Sequence, residues 1–380
     1  MGPNEQKVDT QFFHSPAPFK LRNGETLPNL TLAYETYGEL NQARDNAIWV
    51  CHALSGDAHA SGIHAKTGKK GWWETLIGPG LAVDTDKWFV VCSNVIGGCT
   101  GSTGPSSPNP STDRPWGLDF PLLTIADMVD AQKVLMDHLG IRSLKAVLGG
   151  SMGGMQALQW AAAYPQVVRN MVVLATCARH TPQQIAFNEV GRRAIVSDPN
   201  FHGGHYYDGH GPDLGLSVAR MIGHITYLSE TSMMSKFGRR VREPGASKFE
   251  PAFEVETYLS HQGSAFVDRF DANSYLYITK ALDTFDLASE GGSLEAALGH
   301  FKGRALFLTF STDWLYPPSQ LKEVATALRR SKGNVTYVEI DSDFGHDSFL
   351  LENPHLESLV EGFLENPARG GLPPGTSAEV

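Results

Sequence analysis

The chain is short of positive charge, of cysteine and of long apolar runs, and each shortage removes a class of function. Its 31 Lys and Arg residues are outnumbered by 41 Asp and Glu, giving a formal net charge of -10. A surface of that sign repels nucleic acid and anionic membranes. Four cysteines, Cys51, Cys92, Cys99 and Cys177, form no C-x-x-C pair, and three of them fall in or beside apolar strand-like runs. They read as buried thiols of a reducing compartment. No stretch approaches the length of a membrane span, and the opening Met1-Gly-Pro-Asn-Glu-Gln-Lys7 has no apolar core of a signal peptide. The expected location is the cytoplasm.

What is present is enough for one large core with an inserted unit: 380 residues, 41% of them hydrophobic. The runs Ala47–Cys51, Trp88–Cys92, Leu144–Leu148, Met171–Thr176, Arg304–Phe310 and Val335–Ile340 read as buried strands, with helical periodicity between several of them. That rhythm predicts a mostly parallel sheet flanked by helices. Thr124-Ile-Ala-Asp127 has the form of a capping box, with Asp replacing the usual Glu, and opens a helix that ends at Gly140. Nearer the start, Phe19–Arg22, the turn Asn23-Gly24 and Leu30–Tyr37 suggest a hairpin. From about Thr181 to Glu290 the alternation stops. The stretches Gln183–Ser197, Leu214–Leu228 and Ser264–Leu287 read as helices of an inserted lid. The resulting division is a core over 1–180 and 295–365, a helical lid over 181–294 and a disordered tail over 366–380.

The chemistry centres on Gly149-Gly150-Ser151-Met152-Gly153, a G-x-S-x-G motif between a buried strand and a helix closed by Tyr164-Pro165. Strand, serine and helix packed this tightly leave no room for side chains two residues before or after the serine. The serine is held exposed at a helix N-terminus, where free N–H groups and the helix dipole favour developing negative charge. A serine hydroxyl is a weak nucleophile near neutral pH, so it needs a base and an acid to orient that base. Asp313 follows the strand ending at Phe310, and His346 follows the one ending at Ile340. The order Ser151, Asp313, His346 is that of a nucleophile-elbow triad. The backbone N–H groups of Met152 and of Leu54, in the loop after Ala47–Cys51, are the candidate oxyanion donors. The glycine- and serine-rich loop Asn94–Ser107 is long enough to be expected to line the site. His202, His205 and His210 invite a metal reading, but no second ligand cluster accompanies them, and a solvated lid loop is the better account.

On these residues the chain resembles the homoserine O-acetyltransferase family of methionine biosynthesis, which has the α/β-hydrolase fold. The likeness runs from about Phe19 to Glu365. It includes Gly97–Ser107, Gly149–Met155, Ala219–Tyr227, Phe270–Tyr275, Ser311-Thr-Asp313 and Gly345-His-Asp347. The resemblance implies acyl transfer from acetyl-CoA to the hydroxyl of L-homoserine through an acyl-serine, with acetyl-CoA as co-substrate and no bound cofactor or metal. It also implies a homodimer formed through the lid helices. The family's carboxylate-binding arginine falls on Arg220 and its ammonium partner on Asp347, which suits a zwitterion. Succinyl-using relatives place an arginine soon after the triad acid. Here Leu315 holds that place, which favours acetyl over succinyl. A serine hydrolase with the same triad and a non-catalytic binding protein on this scaffold are the competing readings.

Overall fold

The computed structural model describes residues 6–241 and 252–366. Its centre is a sheet of β1 (Gln11–His14), β2 (Thr31–Tyr37), β3 (Ala47–Cys51), β4 (Phe89–Ser93), β5 (Leu144–Gly150), β6 (Asn170–Leu174), β7 (Arg304–Phe310) and β8 (Asn334–Ile340). The strand order is β1-β2-β4-β3-β5-β6-β7-β8. β2 runs antiparallel to both β1 and β4, and every other pairing is parallel.

Continuous apolar runs are needed because the sheet is covered on both faces. Successive residues of β3 alternate between two cores, with Ala47, Trp49 and Cys51 on one side and Ile48 and Val50 on the other. The first core is closed by α1 (Ile125–His138), α2 (Met152–Ala163) and α9 (Pro318–Arg330), through residues such as Met128, Trp160 and Leu321. The second is closed by α10 (Pro354–Glu365), through Leu356, Val360 and Leu364. At the start of α1 the Thr124 hydroxyl accepts from the Asp127 amide, and the Asp127 carboxylate accepts from the Thr124 amide at 2.8 Å. The shorter aspartate also takes the Arg22 amide at 2.7 Å, so one carboxylate fixes both the helix and the N-terminal segment.

Between β6 and β7 the described residues form α3 (Pro182–Val196), α4 (Asp213–Tyr227), α5 (Glu230–Phe237), α6 (Glu254–Val267), α7 (Ala272–Thr284) and the short α8 (Leu294–Leu298). Three expectations need correction. The Asn23-Gly24 turn joins Phe19–Lys20 to Thr26–Leu27, while β2 pairs with β1 and β4, because the buried face of β2 belongs to the main sheet. The stretch expected as one helix over Ser264–Leu287 is two, α6 and α7, broken where the Asp271 side chain caps the Ser274 amide. The Asn94–Ser107 loop is stitched along β2, with Ser102 Oγ accepting from the Ala33 amide and Thr103 Oγ1 from the Thr31 amide. Beyond Asn366, the expected tail lies outside the described residues.

Candidate active site

Ser151 sits between β5 and α2 at φ 58° and ψ -125°, a conformation that non-glycine residues rarely adopt. Four bonds hold it there: its amide donates to Leu174 O, and its carbonyl accepts from the Gly154 and Met155 amides and from Thr176 Oγ1 at 2.7 Å. The flanking glycines have no alternative. A Cβ on Gly149 would stand 2.3 Å from Gly153 O, and one on Gly153 would stand 2.1 Å from Cys51 O.

Ser151 Oγ lies 2.9 Å from His346 Nε2, and His346 Nδ1 lies 2.7 Å from Asp313 Oδ2. The other Asp313 oxygen accepts the Tyr316 amide at 2.8 Å, so this buried carboxylate is satisfied on both sides. The acceptor-only carboxylate puts the proton on Nδ1 and leaves Nε2 to accept from the serine. All three side chains follow the C-terminal ends of parallel strands, β5, β7 and β8, so the sheet brings together residues far apart in sequence.

The Leu54 and Met152 amides, expected as oxyanion donors, make no hydrogen bond among the described residues. The segment carrying Leu54 is anchored by a group that sequence reasoning missed. His52 Nδ1 bonds Ala53 O at 2.8 Å and its Nε2 accepts the Val95 amide at 3.1 Å. Burial pushes the His52 pKa down, which suits a ring that accepts at one nitrogen. Gln156 Nε2 reaches His52 O at 3.2 Å and is itself held by Gln132 and, through it, Trp160.

Two cavities meet at Ser151. One, of about 190 Å³, is bordered by Leu54, Ser151, Arg220, His224, Asp347 and Leu350 among others. Arg220 packs its guanidinium on the Phe266 and Tyr227 rings and reaches Ser55 Oγ at 3.3 Å. Burial pushes the Asp347 carboxyl above its ordinary value, against the pull of His346 and Arg220. His224, on the same helix face as Arg220, takes Tyr258 OH at Nδ1, while its Nε2 is buried without a partner. Burial, with Arg220, Lys236 and Arg269 nearby, pushes its pKa down to about 3, so the ring is neutral. The second cavity, of about 50 Å³, is bordered by Ser151, His180, Gln184, Leu315 and Tyr316. No residue of the Asn94–Ser107 loop borders either cavity. Among the described residues no three His, Cys, Asp or Glu side chains gather as a metal site requires.

A family model of the alpha/beta hydrolase fold matches residues 46–353. A homoserine O-acetyltransferase of Methanohalobium evestigatum is 55% identical over 94% of this chain and 74% of its own length. One from Mesorhizobium japonicum is 53% identical over 94% of this chain and 93% of its own length. The chain belongs to the homoserine O-acetyltransferase family. Among solved structures, a homoserine O-acetyltransferase of Bacillus anthracis matches with a TM-score of 0.89 at 30% identity, over 95% of this chain and 98% of that one. An esterase, E22, matches with a TM-score of 0.86 at 30% identity, over 94% of this chain and all (100%) of its own. The same fold is therefore shared by proteins named as transferases and as esterases.

The residues that sequence reasoning missed are His52, Gln156, His180, His224, Tyr258 and Tyr316. Only Tyr316 carried a usable signal, since it lies three residues after the expected acid and before Pro317-Pro318.

Proposed function

We propose that the protein is a homoserine O-acetyltransferase that moves an acetyl group from acetyl-CoA to the hydroxyl of L-homoserine, a step of methionine biosynthesis. The observation that carries this reading is 52–56% identity, over 94% of the chain, to relatives that all bear that name. Ser151 attacks the acetyl carbonyl while His346 takes the hydroxyl proton, and the tetrahedral oxyanion rests on the Leu54 and Met152 amides. Collapse breaks the carbon–sulfur bond, and the proton on His346 leaves with CoA. Homoserine then enters, its hydroxyl gives a proton to His346 as it attacks the acyl-serine, and a second collapse returns the proton to Ser151. Asp313 keeps the imidazole oriented and stabilises the imidazolium. Arg220 takes the carboxylate of homoserine and Asp347 its ammonium group.

Supporting this over an esterase, the cavity at Ser151 brings together an arginine and an aspartate that make no ion pair with each other, as a zwitterionic acceptor needs. Leu315 supports acetyl over succinyl as the transferred group. The row Leu214, Val218 and Ile225 on α4, with Met234 on α5, leaves large apolar side chains exposed, and we assign it to a homodimer interface through the lid. Four free thiols fit the cytoplasm.

The test is a mass measurement after mixing with acetyl-CoA alone, followed by addition of homoserine or water. An acetyl adduct on the wild type that is absent from Ser151→Ala, and that is discharged by homoserine far faster than by water, supports the assignment. Equal discharge by water makes the protein an esterase, and an adduct on the variant removes Ser151 from the chemistry.

A further inference from the structure

A second Asp–His chain converges on the nucleophile. Asp283, on α7, accepts from His180 Nδ1 at 3.0 Å, and His180 Nε2 lies 2.8 Å from Tyr316 OH. Asn188 Nδ2 donates to the same Asp283 oxygen at 2.7 Å. Arg192 Nη1 stands 2.7 Å from the other oxygen as an ion pair, off the line of a hydrogen bond. All of these groups are largely buried. Burial alone would raise the Asp283 pKa, but the hydrogen bonds from His180 and Asn188 and the ion pair with Arg192 outweigh it and hold the carboxyl below its ordinary value. An anion fixed there puts the proton on His180 Nδ1 and turns the Nε2 lone pair toward the Tyr316 hydroxyl.

Tyr316 is placed to act on every member of the triad. Its amide holds Asp313 at 2.8 Å, its ring lies 5.0 Å from the His346 ring at a tilt of 31°, and it shares the small cavity with Ser151. The phenol borders that cavity beside Ser151, and burial holds its proton in place. Because that proton is directed to His180, the phenol oxygen turns its lone pairs toward the site. It is an acceptor there and does not compete with the backbone amides for an oxyanion.

We propose that Tyr316 is a positioning residue for His346, and through it for the His346–Ser151 pair, and that Asp283 and His180 act on the reaction only by fixing its hydroxyl. Lid residues on α7 and α3, acting through His180 just before α3, thereby set the geometry of a triad carried by the core. Anchored at its hydroxyl by His180, the ring limits the swing of the imidazole between accepting and returning its proton, and so keeps His346 Nε2 against Ser151 Oγ. The inference rests on the reading of Ser151 as the nucleophile.

The test uses p-nitrophenyl acetate, which acylates a reactive serine without CoA or homoserine. Tyr316→Phe keeps the ring and removes the hydroxyl, and it is expected to slow the acylation burst by about tenfold or more with the KM for acetyl-CoA unchanged. His180→Asn is expected to give a similar loss, and the double variant is expected to be no slower than Tyr316→Phe alone. Thermal unfolding of each variant separates this from a loss of folded protein. An unchanged burst in Tyr316→Phe, or losses that multiply in the double variant, overturns the proposal while leaving the proposed function standing. A full burst in Ser151→Ala fails the nucleophile assignment instead.

Discussion

Arg220 and Asp347 face one cavity beside Ser151 with opposite charges and no ion pair between them. Two half-buried charges left apart in this way cost stability unless something else compensates them. A zwitterion laid between them would supply the missing partner at each end. Because burial raises the Asp347 pKa, a carboxylate able to hold an ammonium group there is lost at a higher pH than an ordinary aspartate would be. Homoserine binding to Ser151→Ala, followed by calorimetry, should therefore weaken as pH falls, beginning at a higher pH than an ordinary aspartate would give, and Asp347→Asn should bind weakly with that dependence gone. Arg220→Ala should weaken homoserine binding by about ten- to a hundredfold, and leave acylation by acetyl-CoA intact. Equal damage to both half-reactions would make Arg220 structural.

The elbow predicts a contrast between two glycines. Gly153→Ala drives a Cβ into the Cys51 carbonyl at 2.1 Å, and that carbonyl belongs to a central strand buried on both faces. The backbone has nowhere to go, so the substitution should cost at least about 2 kcal/mol. Gly362, inside α10, has nothing within 4 Å of its added Cβ. Gly362→Ala should stabilise by about 0.5–1 kcal/mol through helix propensity. Denaturant unfolding measures both, and two changes of the same sign would contradict the packing argument.

How legible each part was in sequence follows from where its constraint lies. The elbow leaves glycines at fixed offsets because backbone contact forbids anything else, and β7 reads over Arg304–Phe310 because burial on both faces demands an unbroken apolar run. Asp313 and His346 read by their order after strands, since the sheet's ends assemble the site. The hairpin misassignment has the opposite cause: Asn23-Gly24 specifies a turn but not which strand returns, and the return strand is only Thr26–Leu27. The Asp283–His180–Tyr316 chain was invisible because its members are 103 and 136 positions apart and no local pattern requires any of them. Helix α5 was missed because only Phe237 on it is buried, so it shows no apolar period.

A buried pair near the N-terminal segment sets a pH window for stability. Glu35 is fully buried and accepts from Thr10, Tyr37 and His59, the last at 2.8 Å. Burial opposes both charges, yet their attraction and the hydrogen bonds win, lowering the Glu35 pKa and raising that of His59. The Glu35 contribution is present above its unfolded value of 4.5 and is lost as pH falls through its lowered folded value. The His59 contribution is full below its unfolded value of 6.5 and is lost as pH rises through its raised folded value. The pair should therefore stabilise most between those two unfolded values. Glu35→Gln should reduce stability there by about 1–3 kcal/mol and flatten the dependence on both sides. Melting temperatures across pH decide it, and a variant that keeps the wild-type curve would assign the window to other groups.

Donor choice is expected to turn on Leu315, which borders the cavity of about 50 Å³ that it shares with Ser151 and Tyr316. An acetyl group brings only a methyl to this space, whereas a succinyl group brings a carboxylate that needs either water or a cation. The lining holds no Lys or Arg; Gln184 is already engaged with Leu315 O at 2.7 Å, and His180 and Asn188 with Asp283. An uncompensated carboxylate in so dry a place should cost about 1–3 kcal/mol, or roughly ten- to a hundredfold in selectivity. Acetyl-CoA should thus exceed succinyl-CoA in kcat/KM by at least about tenfold at saturating homoserine, and Leu315→Arg should narrow the gap by supplying a guanidinium. Both donors measured on both proteins give the answer. A wild type that prefers succinyl-CoA would mean that the succinyl carboxylate reaches Arg220 or Arg269 across the larger cavity, and that Leu315 has no part in the choice.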